Sequence, residues 1–256
     1  MLTAGTLARA AAEGHRVVLV VATAGEAGLT GAATASGPAL AERRVAELHR
    51  SAEALGCARV EVLGYPDSGS GPGSPAGAPG GPAPFAALDP RDPAERLAGI
   101  LREESAEVLT VYDEHGGYGH PDHVQVHRVG VLAAQLAGTP VVLEATVDRT
   151  PLRRVAAVMR WIPGLSGLVP ASRFVDAYLP REQLTHRVDV RRHLAAKKAS
   201  LAAHGSQTSG GRGVRTVALL LRLPDPVLRR ALGHEWYRER GRRPGPLLDD
   251  VFASLR

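Results

Sequence analysis

The residues best suited to chemistry in this chain crowd into one stretch, Tyr112–His127, which reads YDEHGGYGHPDHVQVH and holds four histidines and three acids. It follows directly on Glu107–Tyr112, whose apolar residues predict a buried strand. His120 and His123 are three residues apart. With a helix starting near Pro121, they sit close together around its first turn. Imidazole is the commonest protein ligand for transition metals. Two imidazoles at this spacing, with a carboxylate from elsewhere, suit zinc with one open position. Gly116, Gly117 and Gly119 allow backbone to approach a ligand closely, and Tyr118 carries a hydroxyl able to donate a hydrogen bond. Two other readings stand beside this one. His123 and His127, at i and i+4, form a rival metal pair on the same helix. The whole stretch also reads as a polar loop leading into a proline-started helix.

Such residues need a scaffold, and the first 150 residues supply an α/β rhythm. Helices are predicted over 2–13, 39–55, 92–104 and 122–136, and strands over 16–22, 59–63, 107–112 and 141–147. The run VVLVV, bounded by Gly and Thr, suits a strand buried on both faces. Alternation of this kind predicts an α/β fold with a Rossmann-like parallel sheet flanked by helices. Ligands in such folds bind beyond the carboxyl ends of the strands. That directs attention to the loops 23–31, 64–70 and 113–121. The Gly/Pro-rich stretch 67–84 is expected to be a flexible loop within one domain spanning 1–256. The C-terminal portion is less regular, with a strand over 187–190 and helices over 191–204 and 224–236.

Composition narrows the classes. The net charge of +5 and a sequence pI near 9.9 invite a nucleic-acid partner. The excess, however, lies largely among the arginines after Gly211, mixed with Asp225, Glu235 and Glu239, and no DNA- or RNA-binding motif accompanies it. A solvated basic face is expected, with no nucleic acid bound. Cys57 is the only cysteine, so no internal disulfide framework exists, which fits a cytoplasmic protein. No apolar run reaches the roughly 18 residues of a membrane span, and no secretory signal is expected. The basic and apolar segment Arg149–Phe174 reads as ordinary packing, with a lid or a membrane-surface element as alternatives. Oligomeric state is not readable.

The phrase GGYGHPDH resembles the second signature of the LmbE-like, PIG-L-type N-deacetylase family. Four further segments resemble that family in the same order: TAGTLARAAAEGHRVVLVVATAGEAG, RVAELHRSAEALGCARVEVLGYPDSG, KKASLAAHGSQ at 197–207, and GHEWYRER at 233–240, the last as a closing strand region. The resemblance spans nearly the whole chain and implies a zinc-dependent hydrolase that removes an acetyl group from an amino sugar or its conjugate. Inositol-linked glucosamine is one candidate substrate.

The same resemblance implies roles. His123 is a zinc ligand. His120 is a second site histidine that stabilises charge or protonates the leaving amine, and Tyr118 helps hold the oxyanion. Arg44 and Asp67 match positions that grip sugar hydroxyls, and His204 lines the site. Each of the last three also reads blandly: a solvated helix residue, a turn former and a helix-end histidine near the C-terminal dipole. Asp113 is expected to orient a histidine or shape the loop, Asp122 to cap the helix start, and Glu26 to shape a loop near the metal.

The family's first signature, His-Pro-Asp-Asp-Glu, does not occur among the 256 residues. Its histidine and second aspartate bind zinc in the family, and its first aspartate is the general base. The helix that follows it corresponds to the one beginning at Met1, so the signature is expected immediately upstream. The remaining motifs agree with one another and a half-sheet folds poorly, which favours an active enzyme with an upstream start. The alternative is a catalytically dead, sugar-binding relative.

Overall fold

The structure, a computed structural model, describes residues 2–25, 38–69, 81–159, 177–205 and 224–256. Glu26, Ser206, Gln207 and the 160–174 part of the basic segment lie outside the described residues, as does most of the Gly/Pro-rich stretch. The chain gathers into two compact units.

The first unit comprises residues 3–88 and 189–234. Its N-terminal helix α1, Ala4–Ala12, buries Ala4, Gly5, Thr6, Ala8 and Ala10. Small residues on this face permit close approach: a Cβ added at Gly5 would meet the Val190 side chain at 2.5 Å. Strands β1, Val18–Thr23, and β2, Arg59–Tyr65, pair in parallel, with Val18 opposite Arg59 and Val21 opposite Val62. Between them in sequence runs α2, Pro38–Ala54. Strand β1 is half-buried along its whole length, not enclosed on both faces as its apolar run predicts. Among the described residues it pairs with β2 alone, so less of its surface is covered. Helix α6, Leu194–Ala203, packs on α2, where the buried hydroxyls of Ser51 and Ser200 lie 2.7 Å apart.

The second unit comprises residues 89–188 and 235–256. Helix α3, Arg91–Glu103, starts with Asp92 in its first turn and buries Ala94, Leu97, Ala98 and Leu101, a stripe at helical spacing. It packs against α4, Pro121–Ala137. Strand β3, Val108–Tyr112, lies parallel to β4, Val141–Thr146, whose residues are nearly all buried. Gly130 of α4 sits so close to β3 that a Cβ there would fall 2.4 Å from a Val111 methyl. This contact sets α4, and the loop before it, on the carboxyl half of β3. Helix α5, Arg149–Met159, follows β4.

The sheet order is β3-β4-β6-β5, with β5 at His186–Asp189 and β6 at His234–Glu239. Strand β6 runs antiparallel to β4, pairing Glu144 with Arg238 and Thr146 with Trp236. The predicted helix over 224–236 is shorter: α7 covers Asp225–Leu232 and ends at Gly233. From His234 onward the period changes to two, with Glu235 and Tyr237 buried. The strand reading of 233–240 therefore holds and the helical one stops four residues early. No described helix is long and apolar enough to cross a membrane.

Candidate functional site

Strand β3 delivers its last residue, Tyr112, and the buried Asp113 to the start of the glycine-rich loop. The loop turns tightly there. Gly116 and Gly117 have φ of 65° and 67°, and a Cβ at Gly116 would meet the Val124 amide nitrogen at 2.8 Å. Only glycine takes both the conformation and the space. Asp113 holds the turn: its Oδ1 accepts from the Gly117 amide at 2.8 Å, and its Oδ2 accepts from the Thr146 hydroxyl at 2.6 Å. Of its two expected roles, shaping the loop is the one seen.

Helix α4 opens with Pro121 at its first turn and with His120 as its cap. The His120 Nδ1 accepts from the Asp122 amide at 3.2 Å, so the histidine is the capping side chain in place of Asp122. Asp122 is buried in the first turn, where its charge favours the helix N-terminus.

Tyr118, His120 and His123 come together. The His120 and His123 ring centres are 4.9 Å apart, and Tyr118 meets them edge-on at 6.1 and 5.2 Å respectively. Beneath His123 lies Tyr112, stacked at 3.8 Å with the rings only 6° from parallel. This residue was not singled out from the sequence, although its place at the strand end beside the motif was a usable signal. Tyr178, another residue the sequence reading passed over, has φ of 67° and lies against Gly117, where a Cβ would be 3.3 Å from its ring. Burial and the nearby Asp113 raise its pKa, and burial does the same to Tyr112.

The two histidines differ in the way that matters chemically. His123 Nδ1 lies 3.2 Å from the Gly116 carbonyl oxygen. A carbonyl only accepts, so Nδ1 carries the hydrogen and Nε2 keeps a lone pair, as a metal ligand requires. His120 Nδ1 accepts, so in its neutral form the hydrogen sits on Nε2 and that atom is a donor. The rival ligand His127 is turned elsewhere: its Nδ1 lies 3.1 Å from the Tyr112 carbonyl oxygen and 3.6 Å from Glu144 Oε1. Burial, and then the His120 charge, push the His123 pKa down to about 4. It is thus neutral and able to ligate throughout the physiological range. Among the described residues no group of three or more His, Cys, Asp or Glu gathers as a metal site. The described residues fit the imidazole side of such a site.

Arg44, Asp67 and His204 lie in the first unit. Arg44 is buried, not solvated, and its guanidinium donates to the Gly25 carbonyl oxygen. Asp67 closes a turn, its Oδ1 accepting from the Gly69 amide at 2.8 Å. His204 caps the end of α6, where burial lowers its pKa and the neighbouring Glu47 charge opposes that. Its place at the helix end is the one the bland reading gives it. Arg44 also acts electrostatically on His204, which places the two near the buried Glu47.

Three histidines, the buried His186 and the half-buried His123 and His204, have lowered pKa values, each chiefly through loss of solvent. The unfolded chain takes up these protons near the ordinary value of 6.5, before the folded one does. Their contribution to stability is therefore present above that value and is lost as pH falls, down to about 4 for His123. The melting temperature of metal-free protein should drop steadily from pH 7 to pH 4.5. A flat profile by circular dichroism would mean that these rings are solvated.

Comparison with known proteins places this arrangement. The family model described as PIG-L: GlcNAc-PI de-N-acetylase matches residues 1–134, which include the glycine-rich loop and the start of α4. A 1D-myo-inositol 2-acetamido-2-deoxy-alpha-D-glucopyranoside deacetylase of Thermomonospora curvata is 34% identical over 275 residues, covering 98% of this chain and 90% of that protein. A protein of the same name from Nocardiopsis dassonvillei is 36% identical, covering 81% of this chain and 79% of its own. A conserved protein of known structure from Thermus thermophilus shares the fold, with a TM-score of 0.56 at 20% identity over 96% of this chain and 90% of that one. The match of over half the chain to one family model, and identity to curated deacetylases along nearly all of it, show that the chain belongs to the PIG-L family of de-N-acetylases.

Proposed function

We propose that this protein is a zinc-dependent N-deacetylase that hydrolyses the acetamide of N-acetylglucosamine linked to inositol, with residues 1–256 acting as one deacetylase domain in the cytoplasm. The observation that carries the reading is the opposed hydrogen-bonding of His120 and His123, one ring set as donor and its neighbour as ligand. Zinc, when bound, supplies Lewis-acid polarisation of the carbonyl and an acidified water. The chain's own residues supply the rest. His123 would hold the ion through Nε2, oriented by the Gly116 carbonyl and the Tyr112 ring. His120, with Nδ1 accepting from the Asp122 amide, would donate a hydrogen bond from Nε2 to the charge that develops in the reaction. Tyr118 would donate its hydroxyl hydrogen to the oxyanion, where preorganised donors contribute most. Arg44 and Asp67 would hold sugar hydroxyls, and His204 would line the site.

The family resemblance assigns the remaining metal ligands and the general base to the His-Pro-Asp-Asp-Glu signature. The test is release of acetate from N-acetylglucosaminyl-inositol, with and without added zinc, and with free N-acetylglucosamine as the comparison substrate. Zinc-dependent release that prefers the inositol conjugate supports the reading. Sugar binding by calorimetry with no acetate release under any zinc concentration would replace it with the non-catalytic one.

A further inference from the structure

Tyr118 is 56% exposed and meets the His120 and His123 rings edge-on. The loop that carries it has Gly116, Gly117 and Gly119 at positive φ. Glycine backbone is the least stiff available. Two neighbouring acids tie the loop to strand β4. Asp113 does so directly, through Thr146. Glu114 does so through an intermediary: Arg238 Nη1 donates to Glu114 Oε1 at 3.1 Å, while Arg238 Nε donates to Glu144 Oε2 at 2.5 Å.

Glu144 is fully buried, and its other oxygen accepts from Arg240 at 3.3 Å. Glu144 and Thr146 are two apart on β4 and so face the same side of the sheet. Arg238 lies directly across from Glu144 on β6. A buried carboxylate demands a paired cation, so Glu144 fixes Arg238, and the planar guanidinium presents its other edge to the loop. Burial alone would raise the Glu114 pKa; the Arg238 charge and hydrogen bond outweigh that and lower it.

We infer that Arg238 is a positioning residue, clamped by Glu144, that grips Glu114 and thereby sets the Tyr118 loop for the reaction. The inference rests on the deacetylase reading for its catalytic consequence, but not for the clamp itself.

Two variants test it. Glu114→Ala removes the loop end of the clamp and leaves Glu144 paired, and Arg238→Lys keeps the charge but has no second edge to offer. Hydrogen exchange at the Gly117 amide, read by NMR, should quicken about five-fold in both, the scale of one partly exposed ion pair. The kcat for acetate release should fall by a similar factor with KM within about two-fold, while the melting temperature of Glu114→Ala stays at the wild-type value. Unchanged exchange in both variants overturns the clamp. Faster exchange with unchanged kcat overturns its positioning role. If wild-type protein releases no acetate and exchange still responds, the clamp stands and the deacetylase reading is the one that fails.

Discussion

Replacing His123 with alanine should strip the protein of zinc and abolish acetate release. The Nε2 lone pair of His123 is set toward ligation by the Gly116 carbonyl at 3.2 Å and by the Tyr112 ring stacked at 3.8 Å. Loss of outer-shell support of this kind typically costs about 10–100-fold in metal affinity, and loss of the ligand itself costs more. In protein that carries the His-Pro-Asp-Asp-Glu signature, zinc content after dialysis, measured by atomic emission, should fall from near stoichiometric to background. His127 is the only rival along the helix face, and it cannot substitute without leaving Tyr112 and the buried Glu144. Full zinc retention by His123→Ala would remove His123 from the ligand set. Tyr112→Leu should lie between the extremes, because the ring that orients His123 is gone while the ligand remains.

At His120 the expected result is the reverse: turnover lost, metal kept. Removing a preorganised donor to a developing charge typically costs about 100- to 1,000-fold in kcat. Alanine alone would be a poor test, because His120 also caps α4 through Nδ1, and losing a cap costs about 1 kcal/mol. Asparagine separates the two functions. Its side-chain oxygen can accept from the Asp122 amide, yet its amide nitrogen ends one bond short of the Nε2 position and cannot donate to the same charge. His120→Asn should therefore melt near the wild-type temperature, bind zinc normally, and show the full loss in kcat. A variant that retains wild-type kcat would confine His120 to capping.

Much of this molecule is legible without coordinates. The alternation of apolar runs with amphipathic stretches locates β1 to β4 and the helices between them to within a few residues, because period and length are local properties of the chain. The glycine-rich phrase at the end of β3, with Pro121 after it, likewise places Tyr118, His120 and His123 at one helix start. What each ring can do was not legible. The opposed tautomers depend on a carbonyl seven residues back from His123 and on a helix amide two residues past His120. The dismissal of His127 as a ligand depends on where Tyr112 and Glu144 stand.

Longer-range decisions belong to the tertiary structure alone. In the sequence, His234–Trp236 continues a helical pattern; the antiparallel pairing of Thr146 with Trp236, 90 positions apart, makes it strand. Arg238 looks like one more member of a basic C-terminal run, yet it joins Glu144 and Glu114, 94 and 124 residues away. Arg44 reads as a solvated helix residue and His204 as a helix-end histidine, yet Arg44 is buried and both act near the buried Glu47. Residue types, local spacing and a family resemblance thus determined the family and the fold class, and set Tyr118, His120 and His123 in one short stretch. Which of their atoms donate, accept or stay neutral was decided by burial and by partners that only the folded chain brings within reach.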